Sequence, residues 1–104
     1  MKQIEKLARK NLALKEHFGL DEVDIQMLGI LSEKWSKDEE VRVTDLTLKY
    51  GKTVASPANI HYRITKDLVE RKMVRLKGSE EDARVKFVLK GKLFDSLENF
   101  IKES

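Results

Sequence analysis

Cysteine is absent from all 104 residues. That excludes a disulfide framework, a thiolate metal site and a cysteine nucleophile, and it fits a reducing cytosol, so a cytoplasmic protein is expected. Proline occurs once and glycine five times, while hydrophobic residues make up 40%, which argues against a disordered or low-complexity chain. No apolar run approaches the ~20 residues of a membrane span, and no membrane partner is expected. The first 18 residues are amphipathic and basic, but Glu5 and Glu16 interrupt them and no cleavage-like site follows, which argues against a targeting peptide. A strong excess of one charge is also missing: 21 basic side chains face 18 acidic ones, a net +3. The balance supports polyanion binding only weakly, so the placement of the charges matters more than their sum.

Catalytic constellations are missing too. His17 and His61 have no second ligand at metal-like spacing, and each reads as a solvated or partly buried ring. No Ser/His/Asp set, framed carboxylate pair or Gly-rich phosphate loop occurs, so neither an enzyme nor a cofactor is expected. Length allows one domain, residues 1–104, with a modest core for which self-association adds stabilisation.

What is present is helical periodicity and one hairpin. In residues 1–19, Ile4, Leu7, Leu14 and Phe18 fall at a spacing of three and four that Asn11 completes, the seam of a helix lying across a partner. Gly19 ends that helix and Asp21 caps the next, which carries the stripe Val23, Met27, Leu31 and Trp35. Trp35 reads as core, and Gly29 as a site of close packing. Val41-Arg42-Val43 is a short β-prone run, followed by a brief helix through Leu46, Leu48 and Tyr50. After a turn at 51–55, Ser56 and Pro57 open a helix expected over 57–72. Val74–Lys77 and Arg84–Leu89 alternate apolar and charged residues around a polar tip at 78–82, the pattern of a hairpin. A last helix in 92–104 presents Leu93, Leu97, Phe100 and Ile101 along one side.

On the helix from Pro57, about 100° per residue gathers Ile60, Ile64 and Leu68 on one side. Asn59, Tyr62, Arg63 and Lys66 gather on the other. An amide, an aromatic ring and two cations near a helix N-terminus suit base edges in a major groove, where Asn pairs with adenine and Arg with guanine. The alternative for Arg63 is an ion pair with Asp67 on its own helix. In the hairpin, Arg75, Lys77, Arg84 and Lys86 suit phosphates, whereas Glu80, Glu81 and Asp82 are repelled by them. Lys52, Thr53 and Ser56, just before the helix, complete the expected phosphate contacts.

Val43-Thr44-Asp45-Leu46, the helix from Ser56 through Arg63 to Leu68, and Asp82-Ala83-Arg84 together resemble the multiple-antibiotic-resistance-regulator (MarR) family over residues 20–92. Lys72 stands where that family often has a helix-ending glycine, and Leu89-Lys90-Gly91 is a shortened, threonine-free form of its motif after the wing. The resemblance implies a winged-helix DNA-binding dimer, built by the terminal helices, that controls transcription. It also implies that Asp82 orients Arg84 toward the minor groove.

The resulting expectation is a mainly α winged helix-turn-helix with a small β-hairpin, its core at 20–91 and extra helices at both ends. Its partners would be double-stranded DNA, with helix 57–72 in the major groove and wing 74–89 on the flanking backbone, and a second copy of itself. The competing readings are a winged helix used for protein–protein assembly, and DNA binding in replication or packaging. The sequence identifies no effector.

Overall fold

Asp21 and Ser56 each start a helix by the same chemistry: a side-chain oxygen accepts a backbone N–H that the first helical turn leaves unpaired. Asp21 Oδ1 accepts from the N–H of Asp24 at 2.9 Å, and the Asp24 carboxylate accepts from the N–H of Asp21, closing a capping box. Ser56 Oγ accepts from the N–H of Asn59 at 3.2 Å, with Pro57 in the first helical position. The computed structural model describes residues 2–82 and 84–103, without the side chains of 2, 3, 6, 7 and 103.

Three helices lead in: α1 (Lys2–Phe18), α2 (Glu22–Ser36) and α3 (Val43–Tyr50). A tight turn then joins α3 to a composite helix. This consists of α4 (Pro57–Tyr62), a wide π turn (Arg63–Asp67) and α5 (Leu68–Glu70). The expected single helix over 57–72 is therefore interrupted. At the wide turn the N–H of Leu68 reaches back five residues to the carbonyl of Arg63 instead of four. Strands β1 (Val74–Gly78) and β2 (Lys86–Lys90) form an antiparallel hairpin in which Leu76 faces Val88, and α6 (Phe94–Glu103) closes the chain. The β-prone run before α3 joins this sheet: Arg42 pairs with Phe87, and the N–H of Val88 donates to the carbonyl of Val41 at 2.7 Å. Arg84, expected in the second strand, lies in the tip before it, and Leu93 precedes α6 rather than opening it.

The core lies between α2, α3, the composite helix and the hairpin. Leu31, Leu46, Ile60, Ile64, Leu68 and Val88 are buried in it. Trp35 ties three elements together: its indole N–H donates to the Val88 carbonyl at 3.1 Å, and its ring meets Phe94 edge-on at 5.1 Å. Lys72 ends the composite helix with φ +61°, a left-handed conformation that costs a lysine more than a glycine. Gly91 packs directly beneath it, where a Cβ would strike the Lys72 carbonyl oxygen and the Met73 backbone.

The terminal helices depart from the expected dimer seams. Leu14 and Leu97 are buried within their own chain, and Phe18 packs edge-on against Phe100 at 5.4 Å. These four side chains close the domain itself. Ile4, Leu12, Leu93 and Ile101 are the large apolar residues left exposed on these segments, and the Leu7 side chain lies outside the described residues. Gly29 also departs from its reading: a Cβ there would meet no atom within 4 Å, so close packing inside the chain does not explain it. It lines an apolar groove of about 470 Å³ between α1, α2 and α6. Among the described residues no helix is long and apolar enough to cross a membrane.

Candidate nucleic-acid interface

The turn from α3 into α4 is held by its own backbone. Lys52 donates to the Ala55 carbonyl at 2.8 Å, and Thr53 and Val54 donate to the Tyr50 carbonyl at 3.1 and 3.0 Å. Lys52 adopts φ +82°, strain of a kind that collects at functional sites. Lys52, Thr53, Ser56 and Pro57 are all exposed, although the Ser56 hydroxyl already accepts the capping N–H.

Beyond them the composite helix presents Ala58, His61, Tyr62 and Lys66 to solvent, with Tyr62 60% exposed. The expected members Tyr62 and Lys66 are on this face. Arg63 and Asn59 are not. The Arg63 side chain is only 19% exposed, and its Nη1 donates to the carboxylates of Asp21 and Asp24, the latter at 3.1 Å. Its Nε donates to Asn59 Oδ1 at 2.9 Å. The fork expected to read a guanine is thus occupied by its own chain, and so is the acceptor of the amide expected to read an adenine. The alternative partner is occupied as well: Asp67 receives Arg71 Nε at 3.0 Å. His61, read from sequence as a solvated or partly buried ring, is solvated and stands on the exposed face.

The Asp21–Asp24–Arg63 group has unusual electrostatics. Asp24 is 1% exposed, and burial is the main reason its pKa rises to about 6. Asp67 and Asp21 push it further up, while Arg63 and the Asp21 N–H pull it down. Burial also pushes Asp21 up, but the Asp24 N–H and the Arg63 guanidinium outweigh it, so Asp21 titrates below the usual carboxylate range. For Arg63, burial disfavours the charge, yet hydrogen bonds to Asp21 and Asp24 hold the guanidinium more firmly protonated than usual. One signal in the sequence pointed here: two acids three residues apart at a helix start need a cation if either is buried.

The wing carries an exposed and oriented arginine. Asp82 Oδ1 accepts from the backbone N–H and Nε of Arg84 at 3.0 and 3.2 Å, and Oδ2 accepts from Nη2 at 3.3 Å. The Arg84 side chain remains 91% exposed. Its hydrogen bonds keep the Asp82 carboxyl below the usual range. Lys77 and Lys86 are exposed on the strands, and the exposed Arg75 spends its Nε on the Lys90 carbonyl at 2.9 Å. Ala83, between the paired residues, lies outside the described residues.

No family model and no curated protein matches the sequence. Among solved structures, the chain resembles the adhesin competence repressor AdcR from Streptococcus pyogenes with a TM-score of 0.59 and 22% identity. The match covers 98% of this chain and 69% of that one. At that identity the likeness establishes a shared fold.

Proposed function

We propose that this protein is a sequence-specific DNA-binding transcriptional regulator acting as a homodimer. The observation that carries the reading is the exposed but oriented Arg84 fork on a wing that follows a helix-turn-helix. An ion pair at such exposure contributes little to stability, so a guanidinium held this way by a neighbouring carboxylate is better explained by a target outside the chain. A DNA minor groove has the matching negative potential. His61, Tyr62 and Lys66 supply the major-groove face, and Lys52, Thr53 and Lys86 the phosphate contacts. The likeness to a protein described as a repressor agrees with this reading, as does the MarR resemblance.

Dimerisation rests on α1. Among its described side chains, Ile4 is 69% exposed and Leu12 is also exposed, eight residues on. Leu14 and Phe18 are covered by their own chain, so Ile4 and Leu12 are the apolar side chains of α1 that a second copy would cover. Selection of bound sequences from a random duplex pool tests the whole reading. A two-fold symmetric site is expected; absence of any enrichment would favour use of the same helix face in protein–protein assembly.

A further inference from the structure

We infer that Asp24 is a positioning residue for DNA recognition, a role that rests on the DNA-binding reading above. Through Arg63 and Asp67 it sets how the composite helix presents His61, Tyr62 and Lys66.

The inward side of that helix carries a polar stripe at a spacing of four: Asn59, Arg63, Asp67 and Arg71. On an uninterrupted α-helix each step of four drifts by about 40°, so the stripe would wind about 120° around the axis and lose its partner. The wide turn at Arg63–Asp67 winds less per residue and takes back part of that drift. Arg63 and Arg71 therefore both reach the corner where α1 ends and α2 begins. Arg63 grips Asp21 and Asp24. Arg71 bonds to Asp67 and donates Nη1 to the Phe18 carbonyl at 3.2 Å, lying over Gly19, whose φ of +69° and missing Cβ leave room for it.

Asp24 is the pivot of this chain of contacts. It faces Asp21 from its own helix cap, and Arg63 and Asp67 from the composite helix, with Arg71 joined through Asp67. Three carboxylates against two guanidiniums leave one negative charge in excess. A single proton on Asp24 removes that excess and turns the contact with Asp67 from repulsion into a hydrogen bond. The elevated pKa of Asp24, about 6, agrees with this. Protonation adds the Asp67 contact at the wide turn while Arg63 keeps Asp21 as its ionised partner, which holds the exposed face in one orientation. It also removes a negative charge beneath a surface meant for phosphates. Both effects tighten binding as pH falls.

The test is fluorescence anisotropy of the full chain on the duplex enriched from a random pool, from pH 5.5 to 7.5 at constant ionic strength. Every other group, His61 included, is common to the parent and the variants, so the difference between their profiles isolates Asp24. We expect binding about tenfold tighter at pH 5.5 than at 7.5, since each unit of pKa difference between free and bound states is worth tenfold. Asp24→Asn, which keeps the shape and loses the charge, should bind about tenfold tighter than the parent at pH 7.5 and no tighter at 5.5. Asp67→Asn should flatten the profile from the helix side, and it decides the matter if circular dichroism finds Asp24→Asn unfolded. A flat parent profile, or a parental slope in a folded variant, would overturn the positioning role while DNA binding stood. A parent that bound no duplex at any pH would overturn both.

Discussion

At pH 7 the Asp24 carboxyl lies above its pKa of about 6 and is mostly ionised, with the Arg63 guanidinium against it. Arg63→Met therefore leaves a buried carboxylate without its cation, which should cost about 3–5 kcal/mol of stability in urea unfolding at pH 7. The loss should shrink at pH 5, where Asp24 can take a proton. The folded pKa lies above the ordinary 3.8, so between about 4 and 6 the folded chain holds more protons than the unfolded one. The stability tied to Asp24 is thus complete below about 4 and lost as pH rises through 6. Asp21 acts in the opposite sense and in a lower window, since its depressed pKa gives stability that is lost as pH falls below the usual carboxylate range. An equally small loss for Arg63→Met at both pH values would mark the contact as superficial. Base discrimination falls to the exposed side chains instead. Tyr62→Ala should cost about 1–3 kcal/mol on the selected duplex and much less on a scrambled one, read by anisotropy.

Among the elements, the end of the composite helix offers the cleanest test. Lys72 sits in the left-handed region, so Lys72→Gly should raise stability by about 0.5–1 kcal/mol in thermal unfolding without changing the fold. Gly91→Ala should do the reverse, because the Lys72 carbonyl occupies the space its methyl needs. Most elements were legible in the sequence, since each depends on local chemistry: the Asp21 and Ser56 caps, the alternation of the hairpin, and the apolar stripes of α2 and α4. The wide turn was not. Arg63 and Lys66 share the open side of an ideal helical wheel, and only the position of the α2 N-terminus decides which cation turns inward. The buried partner, Asp24, lies 39 residues away in sequence. Leu14 and Leu97 were misassigned for a related reason. A helical stripe marks a face to be covered, but not whether the cover comes from the same chain. The Asp82–Arg84 pair was anticipated only through the family resemblance, because two residues of spacing within a hairpin tip do not by themselves predict a fork.

The whole molecule measures 49 × 28 × 25 Å, long for its size, and its radius of gyration of 14.2 Å exceeds the ~13 Å of a rounded chain of this length. The proposed dimer would take the exposed Ile4 and Leu12 of α1 into a larger assembly. Ile4→Lys with Leu12→Lys should then give a folded monomer by sedimentation equilibrium at micromolar concentration, with weaker operator binding. An unmodified chain that sedimented as a monomer would remove α1 as a dimer arm.

The central claim is that this surface grips a polyanion, and the salt dependence of duplex binding tests it most directly. With Lys52 and Lys86 proposed on phosphates and the cations of Lys66 and Arg84 set in the grooves between them, the logarithm of the association constant should fall linearly with the logarithm of salt concentration, with a slope of about −0.9 for each phosphate charge neutralised. Arg84→Ala should shallow that slope by about one unit. A selected duplex whose affinity did not change with salt, or an Arg84→Ala slope identical to the parent's, would contradict the account.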